Sequence, residues 1–217
     1  MTADHPPGRF ITLEGGEGGG KSTQAHRLAA SLEREAGEIL LTREPGGSPG
    51  AEQIRGLLVD GEVHRWDAVT ETFLHFAARR DHLVNTVQPA LARGTWVISD
   101  RFADSTMAYQ GYGHGVDRQA IAELYRICVG SLKPDLTLIL DLPVEAGLAR
   151  AAGRGGGEDR YERMDVAFHE RLRQGFLEIA RQDPARCVVI DAARSEDEVH
   201  AQIIAAVRAR MALPSAT

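Results

Sequence analysis

Three scarcities bound what this chain can be. It carries two cysteines in 217 residues, Cys128 and Cys187, both inside apolar runs and neither at metal-ligand spacing. Buried free thiols in a reducing compartment are therefore expected. No apolar run approaches the length needed to cross a bilayer. Met1 to Arg9 is polar around Pro6-Pro7-Gly8, without the apolar centre of a secretory leader, so a cytoplasmic protein is expected. Basic residues are outnumbered, 25 Lys and Arg against 31 Asp and Glu, for a net charge of −6. That balance argues against a long polyanion, so neither nucleic acid nor a membrane is the expected partner. The length does allow one domain over 1–217 with a sizeable core, frayed at 1–8 and 213–217.

Glycine is plentiful, at 23 residues. Its densest stretch is Gly15-Gly16-Glu17-Gly18-Gly19-Gly20-Lys21-Ser22, which fits G-x-x-x-x-G-K-[ST]. Glycines let backbone N–H groups turn inward around an anion, Lys21 adds a charge for the outer phosphates, and the Ser22 hydroxyl can hold Mg²⁺. Both flanks agree. Phe10-Ile11-Thr12-Leu13 reads as a strand before the loop. Ala25, Leu28, Ala29 and Leu32 recur at helical spacing after it, from a start near Lys21, so the helix dipole also faces the phosphates. The chain is expected to bind a nucleoside triphosphate.

Four more short apolar runs follow, at Glu38–Thr42, Trp96–Ser99, Leu136–Leu140 and Cys187–Ile190. Helical patterns lie between them. Ile121, Leu124, Tyr125 and Cys128 follow Asp117 as N-cap, and Phe168, Leu172, Phe176 and Ile179 mark a second helix. Ser195 and Glu198 form a capping box ahead of Val199, Ile203 and Val207. This alternation predicts an α/β fold: a doubly wound, five-stranded parallel sheet of the P-loop NTPase type, with helices on both faces. In such folds ligands collect at the carboxyl ends of the strands.

The residues just past each strand are thus the candidates. After the second comes Arg43-Glu44-Pro45-Gly46-Gly47, where Arg43 either meets an anion or forms an ordinary surface ion pair. After the third comes Asp100-Arg101-Phe102. A carboxylate there can sit on Mg²⁺ and the arginine can clamp a phosphate, although a structural Asp–Arg pair is the alternative. A helix carrying His75, Phe76, Arg79 and Arg80 places a ring and a guanidinium on one face, suited to a base and its phosphate. On the bland alternative Phe76 is core and the arginines are solvated; Phe73 is expected in the core either way. Arg150, Arg154, Arg160 and Arg163 flank Gly155-Gly156-Gly157, reading as a short lid over phosphates at about 150–163 rather than an RNA-contact segment.

Taken together, the glycine loop, the Thr42-to-Gly47 run, Asp100-Arg101-Phe102 with Ser105 and Ala108-Tyr109-Gln110-Gly111, and the arginine-rich lid resemble the bacterial thymidylate kinases, from about Phe10 to Met211. The resemblance implies a single domain like that of nucleoside monophosphate kinases and a homodimer, with Leu74, Leu83 and the helix at Tyr125 as the candidate face. It implies that Gly15, Gly16, Glu17, Gly18, Gly19, Gly20, Lys21, Ser22 and Thr23 hold ATP, with Arg150 and Ala193 on its adenine side. Mg²⁺ would sit on Ser22 and Asp100. Glu17 would meet the acceptor's 3′-hydroxyl, and Arg43, Arg79 and Arg101 its phosphate, with Pro45 in the same turn. Ser105, Thr106 and Gln110 would line the thymine, and Tyr109 would crowd the 2′ position. Some members carry a basic residue within the loop; here Gly18 stands there, and Arg154 and Arg160 are expected to supply that charge from the lid. The family's base-stacking Phe is replaced by His75, leaving either His75 or Phe76 as the platform.

The implied reaction is transfer of the ATP γ-phosphoryl group to dTMP, giving dTDP and ADP. Charge stabilisation by Lys21, Asp100-bound Mg²⁺, Arg101 and the lid arginines would carry it. The rivals are a kinase for another nucleotide or nucleoside, with Glu14 or Glu17 as base, and a P-loop switch that only hydrolyses slowly.

Overall fold

A computed structural model describes residues 8–153 and 160–211. Five parallel strands form one sheet in the order β2-β3-β1-β4-β5: β1 (Phe10–Glu14), β2 (Ile39–Arg43), β3 (Trp96–Asp100), β4 (Leu136–Asp141) and β5 (Cys187–Asp191). The apolar runs read from the sequence are these strands, each reaching one residue further into a polar or charged residue, of which Arg43 and Asp100 line the cleft described below. β1 lies between β3 and β4 and is buried along its whole length, so its apolar residues serve both faces. Ile11 and Leu13 join Leu28, Leu32, Val199 and Ile203 on one face; Phe10 meets Val97, Leu83 and Phe102 on the other. Two-residue periodicity sorts them.

The helices are α1 (Lys21–Ala36), α2 (Pro49–Val59), α3 (Ala68–His82), α4 (Gln88–Ala92), α5 (Ala103–Thr106), α6 (Arg118–Cys128), α7 (Val144–Ala152), α8 (Val166–Gln182) and α9 (Glu196–Arg210). Caps predicted from sequence are present. Asp117 accepts from Gln119 N, and Ser195 and Glu198 bond reciprocally at the start of α9. α1 is the informative exception. It starts from Gly20 at φ 82° with no side-chain cap, which leaves its first N–H groups available to an anion. Wide helical turns at Leu83–Val87 and Met107–Gly113 interrupt the regular ladder, and the second carries Tyr109 and Gln110.

Helix α3 corrects two expectations. Phe73 is 56 % exposed, because α3 packs on α2 and α6 with Phe76 and Arg79 inward and Phe73 on the outer side. Leu83 is fully buried beside Phe10 and Val97, so it cannot belong to a surface for a second copy. Cys187 is buried and Cys128 partly so, both as free thiols.

Candidate active site

The glycine loop joins β1 to α1 at the point where the strand order reverses, with β3 on one side of β1 and β4 on the other. Close packing explains its composition. Gly18 has φ 68°, and a Cβ there would stand 2.0 Å from the carbonyl oxygen of Gly147 in α7. No side chain, basic or otherwise, fits that position. Lys21 folds back over the loop, its Nζ donating to the Gly16 carbonyl at 2.6 Å. Burial and the nearby Arg101 hold its pKa down at about 8, against the pull of Glu17 and Asp100. The ammonium therefore stays mostly charged at neutral pH, and a phosphate arriving here would raise its pKa again.

Ser22 follows Lys21, and its hydroxyl donates to the carboxylate of Asp100 at the end of β3. A hydroxyl and a carboxylate are hard oxygen donors of the kind Mg²⁺ takes. Among the described residues no group of three or more His, Cys, Asp or Glu could hold a metal by themselves. An ion on Ser22 and Asp100 would therefore complete its shell with phosphate oxygens and water, as Mg²⁺ does in phosphoryl-transfer sites.

Arg101 is the hub. Among the described residues it alone, apart from glycines, has a positive φ, at 69°; such backbone strain persists where surrounding contacts fix it. Its guanidinium donates to the Gly15 carbonyl at 3.0 Å, to Ser105 Oγ at 3.2 Å, to Glu17 at 3.0 Å and to the Tyr109 hydroxyl at 2.9 Å. The Tyr109 hydroxyl in turn donates to Glu17. Burial alone would raise the Glu17 pKa, but Arg101 and Lys21 outweigh it and hold the carboxyl at about 2. Glu14, fully buried beneath, accepts from Phe102 N at 2.8 Å and Ser105 Oγ at 2.5 Å. Burial and the neighbouring Asp104 push its pKa up. It is committed to bracing the Arg101 turn, and has no path to a substrate hydroxyl.

One open cleft of about 540 Å³ joins the loop to the residues expected around the acceptor. Its lining includes Glu17, Lys21, Ser22, Arg43, Pro45, His75, Arg79, Asp100, Arg101, Ser105, Thr106, Tyr109 and Gln110. Arg43 is half-exposed and leans on Glu52 at 3.2 Å. Arg79 is buried, with its Nε on Glu44 at 2.7 Å and Nη2 on Thr106 Oγ1 at 3.0 Å and the Phe102 carbonyl at 3.1 Å. His75 faces the cleft, while Phe76 is buried beneath the Arg79 guanidinium at 5.1 Å and does not line it. Phe76 therefore supports the arginine and is not placed to stack on a base. Burial, then Arg79, push the His75 pKa down to about 3, so the ring is neutral.

Arg160 departs from its expected role. It is 1 % exposed, pairs with Glu71 at 2.5 Å, and donates to the carbonyls of Leu58, Glu62 and Val63. With every arm taken by the α2–α3 side, it cannot reach the phosphates beside Lys21. Gln110 Nε2 also donates to Glu71, at 2.8 Å. Arg150 bonds the Ala192 carbonyl at 2.9 Å, next to Ala193, so α7 and the loop after β5 do meet. Arg154 lies outside the described residues.

Among the lining residues that the sequence reading did not single out, three make contacts that shape the cleft. Arg55 enters from α2 and bonds the Pro45 carbonyl at 2.7 Å. The signal for α2, Ser48 ahead of Pro49 at the first helical position, was legible. Glu44, in the cleft floor, holds Arg79. Tyr161 shares a hydrogen bond with His75 Nε2 at 2.9 Å and meets Tyr109 edge to face, contacts that no local pattern announces.

Comparison with known proteins places the chain in this setting. The sequence pattern of the family described as Thymidylate kinase matches residues 13–203. A thymidylate kinase of Caulobacter vibrioides is 56 % identical over 206 residues, spanning 95 % of this chain and 99 % of that one. Another from Dinoroseobacter shibae is 54 % identical over 199 residues, 92 % of this chain and 96 % of the relative. The crystal structure of a thymidylate kinase from Ehrlichia chaffeensis superposes with a TM-score of 0.76 at 37 % identity, covering 93 % of this chain and 99 % of that one.

Proposed function

The chain belongs to the thymidylate kinase family and phosphorylates dTMP at the expense of ATP, and from that premise we propose how its residues divide the reaction. The γ-phosphoryl group leaves ADP and forms a bond to a phosphate oxygen of dTMP, giving dTDP. That oxygen is already anionic near neutral pH, so the site needs position and positive charge more than a base. The glycine loop from Gly15 to Thr23 and Lys21 hold the ATP phosphates, with Arg150 and Ala193 at the adenine end. Ser22 and Asp100 would hold Mg²⁺, which when bound neutralises phosphate charge between donor and acceptor.

On the other side Arg43, Arg79 and Arg101 receive the dTMP, with Pro45, Ser105, Thr106 and Gln110 around them. Glu17 takes the sugar hydroxyl and Tyr109 closes the space a 2′-hydroxyl would need. His75, tied to Tyr161, is the base platform. The subgroup reading, a loop without a basic residue and charge supplied from a lid at about 150–163, is supported at Gly18, where no side chain fits. Arg154 is then the lid charge, while Arg160 is a structural residue paired with Glu71. The observation that carries the assignment is the single cleft lined by Lys21, Arg101 and Arg79 together. The buried, engaged Glu14 speaks against a nucleoside acceptor.

We place the enzyme in the cytoplasm as one domain that pairs with a second copy. Among the described residues no helix is long and apolar enough to cross a membrane, and both cysteines are free thiols. A dimer face is supported by exposed Val69 and Phe73 on α3 and Ile127 on the neighbouring α6. The test of the substrate is ADP release with dTMP, dUMP, dCMP, AMP and thymidine in parallel. Turnover with dTMP at least tenfold above every other acceptor is expected; equal rates with AMP would overturn the acceptor assignment.

A further inference from the structure

Behind the cleft floor lies a buried polar chain that the reaction does not itself use. His82, the last residue of α3, is fully buried. Its Nδ1–H donates to Glu44 Oε1 at 2.9 Å, while Glu44 Oε2 accepts from Arg79 Nε at 2.7 Å. The other ring nitrogen shares a hydrogen bond with Thr42 Oγ1 at 2.8 Å. The turn after β2 presses on the ring: a Cβ at Gly47 would stand 2.5 Å from His82 Nε2. His82 thus has one available orientation, and it fixes the carboxylate plane of Glu44.

Glu44 fixes Arg79 in the same way. The Arg79 guanidinium lies over the rings of Phe76 and Phe102 at 5.1 and 5.3 Å, and bonds Thr106 and the Phe102 carbonyl. Its Nη1 is buried and has no hydrogen-bond partner. A buried donor left unpaired in a residue that lines the cleft is a group waiting for an acceptor. We propose that His82 is a positioning residue for acceptor binding: through Glu44 it aims the unpaired Nη1 of Arg79 at the acceptor nucleotide. This rests on the assignment of Arg79 to the dTMP side of the cleft.

The chain has a direction that substitutions can read. Asn at position 82 carries an amide N–H near the place of Nδ1 and keeps the bond to Glu44. Gln carries its N–H near the place of Nε2 and keeps the Thr42 side instead. The measurement is steady-state kinetics of His82→Asn, His82→Gln and Glu44→Gln at saturating ATP and then at saturating dTMP, scaled to the fraction of protein that binds ADP. His82→Gln and Glu44→Gln are expected to raise KM for dTMP about tenfold, the effect of losing a buried hydrogen bond to a charged group. KM for ATP should stay within about twofold and kcat within about threefold, while His82→Asn stays within about threefold of the parent throughout.

A purely structural histidine would lower the ADP-binding fraction in both His82 variants without separating their KM values. Equal KM for dTMP in His82→Asn and His82→Gln would overturn the proposal. Arg79→Met separates its failure from that of the site assignment. If that variant keeps the parent's KM for dTMP, Arg79 does not meet the acceptor. If it loses dTMP binding while the His82 variants do not, only the relay is wrong.

Discussion

Arg160 was expected over the phosphates and lies instead in a buried ion pair, so its replacement distinguishes two kinds of arginine. Arg160→Met keeps most of the side-chain volume and removes the charge. It strands the Glu71 carboxylate, which is 1 % exposed and would retain the uncharged donors Gln110 and Tyr161. It also frees the carbonyls of Leu58, Glu62 and Val63. Breaking a buried pair from one side costs about 3–5 kcal/mol. For a domain of this size each kcal/mol moves Tm by roughly 2–4 °C, so a fall of about 10 °C is expected in a thermal unfolding scan. The kcat of the folded fraction should stay within about threefold, because no arm of Arg160 points at Lys21. Adding Glu71→Leu should recover part of the loss, since the stranded charge leaves with it. A variant whose Tm is unchanged within about 2 °C but whose kcat falls about 100-fold would refute this reasoning and return Arg160 to catalysis.

Other expectations follow from the same geometry. Lys21→Ala and Arg101→Ala should each lower kcat by ~10²-fold or more, as loss of a preorganised charge-stabilising group does; less than about tenfold for both would remove them from the transition state. His75 has its pKa depressed from 6.5 to about 3, so the neutral ring contributes stability at pH values above 6.5 that is lost as pH falls from 6.5 toward 3. Between pH 7 and pH 5 the parent should lose about 2 kcal/mol more stability than His75→Phe in urea titrations, and identical losses would show that the ring titrates normally. Phe73→Asp should shift sedimentation from dimer to monomer without altering the secondary structure; an unchanged sedimentation coefficient would place the interface elsewhere.

Which of these features could be read in advance depended on how far apart the interacting residues lie in the chain. The strands were legible because a parallel sheet covered on both faces demands continuous apolar runs, and β1 and β4 are such runs. The N-caps at Asp117 and Ser195 were legible because a cap is satisfied within three residues. The glycine loop was legible for the same reason. The environment of α3 was not. Its apolar residues occur on several faces, and the arginine that turns inward does so because Glu44 waits 35 residues upstream. Phe73 went outward as a result, against its hydrophobicity. Arg160 is the same case: its partner Glu71 lies on α3, and only the fold brings them together.

The cleft of this acidic chain is positive because its arginines are held by acids from one side and left to the cleft on another. Arg101 is backed by Glu17, Arg79 by Glu44, and Arg43 by Glu52. Each carboxylate offsets the cost of burying or fixing a guanidinium without substrate, and each pins its orientation before the phosphates arrive. The degree of burial then grades what each pair contributes. Arg43 and Glu52 are about half-exposed, so solvent screens them and their pairing is weak. Arg79 and Glu44 are almost wholly enclosed, so the geometry of that pair is rigid and its loss expensive. Arg43 is thus suited to capturing an incoming anion that can displace Glu52, and Arg79 to discriminating among anions already captured. Raising the ionic strength should accordingly weaken the Arg43 contribution to KM for dTMP far more than the Arg79 contribution.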